Sequence, residues 1–381
     1  MQFKTKMIPL AGAIAFAFAG TASAQEQVVK IGHVGPISGA IAHLGKDNEN
    51  GARMAVDELN AKGVTLGGKK VKFELLAEDD GGDPKQGTAA AQKLVDAKVN
   101  GVVGHLNSGT TIPASKIYHD AGIPQISPSS TNPKYTQQGF NTAFRVVAND
   151  SQLGGTLGRY AADQMKAKKV AVIDDRTAYG QGVAEEFVKG AKAKGVQVVA
   201  QQYTTDKATD FNAILTAIKA KKPDTIFFGG TDAVAGPMLR QMKALGINAK
   251  FMGGDGICTG SLPQLAGDAM ADGQVVCAEA GGVEEAQKKG MDDFRAAYKK
   301  KFGSDVQIYS PYTYDAVMVL AEAMKKANSA DPAKYLPQLA KIKYRGVIGM
   351  IEFDAKGDMK NGTLTLYTYN GGKRTQIAVV K

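Results

Sequence analysis

The chain has 381 residues, a formal net charge of +10 and two cysteines. Two thiols are too few for a structural zinc site, and the length exceeds what one hydrophobic core usually serves, so two domains are expected. The basic balance raises nucleic acid or an anionic surface as partners, but the lysines are scattered in pairs and short runs such as Lys299-Lys300-Lys301, without interleaved aromatics or a nucleic-acid motif. Solvated helix faces account for them, and no nucleic-acid partner is expected.

In chain order, Lys4 and Lys6 precede an apolar stretch from Met7 to Gly20 and the small-x-small run Ala22-Ser23-Ala24. This reads as an export signal, residues 1–24, cleaved after Ala24; the stretch is shorter than the roughly 20 residues that span a bilayer. Removing 24 residues from 381 leaves 357, and losing Lys4 and Lys6 takes the charge from +10 to +8. The mature protein is expected to be soluble and periplasmic, without a membrane anchor.

Short Val- and Ile-rich strands then alternate with helical stripes, the pattern of βαβ units and a mostly parallel sheet. Strands are predicted at Val28–Ile31, Val71–Leu76, Val102-Val103, Val170–Ile173, Val196–Val199 and Thr225–Phe228. Between them, the i, i+3, i+4, i+7 spacing of Ala52, Ala55, Val56, Leu59, of Ala184, Phe187, Val188, Ala191, of Phe211, Ile214, Leu215, Ile218 and of Ala235, Met238, Leu239, Met242 predicts helices. Asp83-Pro84 reads as a cap with proline in the first turn, and Gly63, Gly195 and Gly246 as helix stops. Two βα runs emerge, 28–145 and 168–276, followed by helices near 285–301 and 310–326. A turn at Asp354–Asp358 leads to strands at Thr363–Tyr369 and Gln376–Val380. Two α/β units predict a cleft between them, with ligands beyond the carboxyl ends of the strands.

Cys258 and Cys277 are an even pair in an oxidising compartment, most simply a disulfide; two buried free thiols are the alternative. Gly39 to Lys46 lacks phosphate-loop spacing, and His33, His43, His105 and His119 form no close metal spacing and read as surface or strand-end residues. Glu78-Asp79-Asp80 with Asp83 lacks the full calcium-loop pattern and reads as a turn into a helix cap. More informative is Gly104–Thr111, which follows a strand and precedes a helical stretch at Ala114–Ala121, so that Ser108 lies where free N–H groups hold an anion such as a carboxylate. Ile126–Thr131 ends another strand with hydroxyls and carbonyls suited to a polar head group. Serine-rich loops are also ordinary turns.

Taken in order, Gly35-Pro36-Ile37-Ser38-Gly39, Asp80-Gly81-Gly82-Asp83-Pro84-Lys85-Gln86, Gly104-His105-Leu106-Asn107-Ser108, Tyr179-Gly180-Gln181-Gly182 and Phe251-Met252-Gly253-Gly254-Asp255-Gly256 resemble the leucine/isoleucine/valine-binding proteins of ABC importers across the whole mature chain. The resemblance implies a type I periplasmic binding fold: two doubly wound α/β lobes, 25–147 plus 278–352 and 148–277 plus 353–381, joined by three crossovers. It implies a monomer that carries an amino acid, aliphatic or branched, to a membrane permease, with no cofactor and no metal. Ser108 matches the serine that holds the ligand α-carboxylate, Ser129 and Thr131 match positions that engage the α-carboxylate and α-amino group, Tyr179 matches an aromatic that closes over the ligand, and Asp255 matches an acid, often Glu, that pairs with the α-ammonium. Aromatic side-chain-pocket positions are here Leu44 and Thr231, while Tyr309 keeps an aromatic; this departure opens the same fold to a short amide, a urea-like molecule or an aromatic acid. The family's usual disulfide positions are Gly82 and Asn107. A rival from another class is a secreted hydrolase with Ser108 as nucleophile, assisted by His105 or Asp255; against it, no third group orients a base as a triad requires.

Overall fold

The computed structural model describes residues 1–2, 26–282, 285–360 and 362–380, so the predicted export signal lies almost wholly outside the described residues. Two parallel sheets form the frame. The first runs in the order Thr65–Leu66, Lys69–Asp79, Gln27–Gly35, Gly101–Gly104, Gln125–Ser127, Ala143–Arg145, all parallel except the short edge strand Thr65–Leu66. The second runs Lys373–Val380, Leu364–Asn370, Val275–Glu279, Lys250–Gly253, Thr225–Gly229, Lys169–Asp174, Gln197–Tyr203, with Leu364–Asn370 antiparallel to both of its neighbours, Val275–Glu279 and Lys373–Val380. In each, the five parallel strands follow the order 2-1-3-4-5, so the chain reverses direction between its first and third strands and opens a crevice at their carboxyl ends.

Local chemistry explains these elements. Thr225–Gly229 and Val275–Glu279 are buried at every position, as parallel strands covered by helices on both faces must be. Asp83 accepts hydrogen bonds from the amides of Lys85 and Gln86 (2.9 and 3.0 Å) with Pro84 opening the helix Pro84–Asp96, a cap that contributes about 1 kcal/mol. The six strands and four striped helices read from the sequence are all present, the strand at Val196–Val199 being observed as Gln197–Tyr203.

One major helix was not among them. Asp150–Asp163 carries Gly154, Gly155 and Gly158, residues of low helix propensity, yet it packs closely on the helix Ala178–Ala193. A Cβ on Gly158 would come within 2.3 Å of the Phe187 carbonyl oxygen, so the glycine is what lets the two backbones approach.

The chain passes between the halves three times: after Arg145, after Glu279 and after the hairpin Tyr344–Gly346/Gly349–Ile351. The crossing segments are bonded to one another, the Ala148 amide to the Ala280 carbonyl (2.8 Å) and the Arg145 amide to the Gly357 carbonyl (3.0 Å). The helix Ser310–Ala327 returns to pack on the first helix, Ala42–Lys62, and so completes the six-stranded half from the far end of the sequence. Cys258 and Cys277 are joined in a buried disulfide, whereas Gly82 and Asn107 face each other without one: a Cβ on Gly82 would lie 3.7 Å from Asn107 Oδ1. Among the described residues no helix is long and apolar enough to cross a membrane.

Candidate ligand-binding site

The strand order dictates where side chains meet. Counting the five parallel strands of each sheet in chain order, Ser108 follows the third strand of the six-stranded sheet and Ser129 the fourth; Tyr179 follows the first strand of the other sheet, Thr231 the third and Asp255 the fourth. All therefore lie at the carboxyl ends beside the two crevices. Leu44, Leu106, Asn107, Ser108, Ser129, Tyr179, Thr231, Gly256 and Tyr309 line one cavity between the halves. Six of the eight residues singled out from the sequence share that wall, and the other two, Thr131 and Asp255, are buried outside it. The cavity is small, about 20 Å³.

On the six-stranded side, Ser108 is the first residue of the helix Ser108–Asp120, which starts earlier than its sequence stripe suggests. Helix geometry leaves the first amides without intrahelical partners and gives that end partial positive charge. The Ser108 hydroxyl accepts from Ser130 Oγ and from the Asn132 amide (3.2 Å each). Ser129 donates to the Leu106 carbonyl and accepts from Asn48 Nδ2 (3.3 Å each). The loop that carries these groups is held from below by fully buried Arg145, whose guanidinium donates to the carbonyls of Ser130 (2.7 Å) and Asn132 (3.0 Å) while pairing with Asp358 (2.6 Å). With those carbonyls turned toward Arg145, the loop's backbone orientation is fixed.

On the seven-stranded side, Asp255 begins a single turn, Asp255–Ile257. Its two carboxylate oxygens accept from the hydroxyls of Tyr179 (2.8 Å) and Tyr309 (2.9 Å), and the Tyr179 hydroxyl accepts from the Gly256 amide (2.9 Å). Burial pushes the Asp255 carboxyl up to about 6, against the two tyrosine bonds that favour its charge. Burial and the Asp255 charge push both tyrosine hydroxyls well above their ordinary value, so they remain donors. Tyr179 reaches this point because Gly180 lets its helix touch the strand Thr225–Gly229; a Cβ on Gly180 would meet the Gly229 carbonyl oxygen at 2.5 Å.

Tyr309 comes from the six-stranded half and is placed by Asp47. That buried carboxylate accepts from the amides of Gln307 (3.2 Å), Ile308 (3.0 Å), Tyr309 (2.7 Å) and Ser310 (3.0 Å) and so caps the helix Ser310–Ala327. Sequence reasoning missed Asp47 and Arg145, whose partners lie on other elements; no local motif marks either.

Of the two alternatives for the histidines, His33 and His105 take the strand-end one: both are fully buried, His33 near the end of Gln27–Gly35 and His105 directly after Gly101–Gly104. His105 is bonded through Nδ1 to Asp80 (3.1 Å) and through Nε2 to Tyr118 (3.0 Å), so neither ring nitrogen is directed at Ser108. Burial opposes the charge on Asp80, but the hydrogen bond and charge of His105 hold its carboxyl below the usual range.

The sequence profile of the periplasmic binding protein family matches residues 28–374. An amino acid binding protein of Pseudomonas aeruginosa is 38% identical, with 92% of each chain covered, and a Leu/Ile/Val-binding protein homologue of Brucella abortus is 36% identical, with 97% of each covered. The crystal structure of a branched-chain amino acid transporter substrate-binding protein from Streptococcus pneumoniae, in complex with isoleucine, superposes with a TM-score of 0.83 at 30% identity, covering 93% of this chain and 99% of that one. With the duplicated 2-1-3-4-5 sheets, three crossings and a cleft at their strand ends, the chain belongs to the periplasmic binding proteins, in the Leu/Ile/Val-binding family.

Proposed function

We propose that this protein captures a zwitterionic α-amino acid with an aliphatic side chain and delivers it to the membrane permease of an ABC importer. The carboxylate docks on the Ser108 hydroxyl and the first amides of its helix, with Ser129 and Thr131 beside it. Asp255 pairs with the ammonium, and the side chain lies against Leu44, Leu106, Thr231 and Tyr309. The two lobes, 25–147 plus 278–352 and 148–277 plus 353–381, part to admit the ligand and shut over it. The protein acts as an exported monomer after loss of residues 1–24, and as a carrier rather than an enzyme.

The observation that supports this reading is the single cavity that collects carboxylate donors from one half and the tyrosines that clasp Asp255 from both. It offers fixed donors, and His105, the base proposed for a hydrolase, is turned to Asp80 and Tyr118. A thermal-shift screen over amino acids, short amides, urea-like molecules and aromatic acids tests it. Leucine, isoleucine or valine is expected to stabilise the protein by about 2.7 kcal/mol at 100 times its dissociation constant. Stabilisation by an amide or aromatic acid alone would transfer the site to that class, and turnover of esters would restore the hydrolase reading.

A further inference from the structure

Behind the cavity wall, the residues next to Leu44 and Thr231 meet. His43 Nε2 donates to Asp232 Oδ2 at 2.8 Å, joining the first helix of the six-stranded half to the helix Asp232–Ala244 of the other. Thr259 Oγ1 donates to the same oxygen (2.6 Å), and the amide of Leu262 donates to Thr259 (3.1 Å), so the acceptor is held in place from its own half. Asp232 is fully buried, and its Oδ1 has no hydrogen-bond partner among the described residues. His43 is about a quarter exposed, on the rim.

We infer that His43 and Asp232 are the latch that holds the cleft shut on its ligand, a pair that sets ligand retention without touching the ligand. Shutting the cleft strips water from Asp232, and a buried carboxylate with too few donors is costly. His43 supplies the one donor that arrives with closure. Without it the closed form carries an under-bonded charge, while the open form leaves Asp232 to water. The bond is thus worth most in the closed state, and a contact that differs between two states shifts the population between them. The inference rests on the reading of the cleft as one that closes over its ligand.

The test is a cycle of His43→Ala, Asp232→Ala and the double variant, with His43→Gln as a donor-preserving control. Calorimetry and stopped-flow dissociation would use L-leucine, and small-angle scattering the ligand-free proteins. His43→Ala is expected to weaken binding on the order of tenfold, mainly through faster release. His43→Gln should stay within about threefold of wild type, and His43→Ala should cause little further loss once Asp232 is alanine. A residue serving only local structure would lower the melting temperature without this rescue and non-additivity. Equal losses from His43→Ala in both backgrounds, or binding within threefold of wild type, would overturn the latch. If Asp232→Ala does not fold, the alanine and glutamine variants of His43 decide alone. Should wild type fail to bind L-leucine, the ligand reading fails, and the latch is judged by scattering: His43→Ala must then show a larger radius of gyration than wild type, and an unchanged radius refutes it.

Discussion

Asp255 combines burial with two fixed donors, and its behaviour with pH follows from that. Its folded value of about 6 stands above the ordinary 3.8, so between those values the folded protein holds a proton that the unfolded chain has released. Stability contributed by this group therefore falls as pH rises through the window, and the penalty is complete above about 6. In the proposed complex a ligand ammonium would offset that penalty, because it would pair with the charged form. Affinity for an amino acid is expected to be flat above pH 6 and to fall below it, approaching tenfold per pH unit, while a carboxylic acid without the amino group shows no such fall. Calorimetry from pH 4.5 to 8 checks this, and Asp255→Asn should flatten the profile and weaken amino-acid binding on the order of a hundredfold. Equal profiles for both ligands would remove Asp255 from the ammonium site.

At the scale of elements, the turn that carries Asp255 ends at Cys258, which is bonded to Cys277 in the strand Val275–Glu279. The bridge closes a loop with a sequence separation of 19, which in the chain-entropy model contributes about 3 kcal/mol. Replacing both cysteines by alanine should lower the unfolding free energy by about that amount in urea, and loosen the turn enough to weaken ligand binding; unchanged stability would refute the expectation. Both cysteines could be paired from the sequence because the export signal implies an oxidising compartment. The strands were equally legible, since Val170–Ile173 and Thr225–Phe228 announce themselves by composition. The helix Asp150–Asp163 was not, because its glycines serve packing against Ala178–Ala193 and carry no local signal. The site shows the same division. Ser108, Ser129 and Tyr179 stand in motifs at strand ends, but Arg145 and Asp47 act on backbone groups of distant loops, which only tertiary placement can reveal.

For the whole molecule, the discontinuous path of the chain has a bearing on how it matures. Asp47 caps amides about 260 positions later, and the first helix packs on Ser310–Ala327. Contacts of such separation carry a large loop-closure penalty before they repay it, and they slow folding. A fragment comprising residues 26–149 is expected to lack a cooperative thermal transition by circular dichroism, whereas adding residues 278–352 in trans should restore one; a fragment that melts cooperatively alone would contradict this. The segment that emerges first is thus expected to gain a stable state only when the last third has followed. Under the proposed export, such wiring would keep the six-stranded half unfolded until translocation is nearly complete.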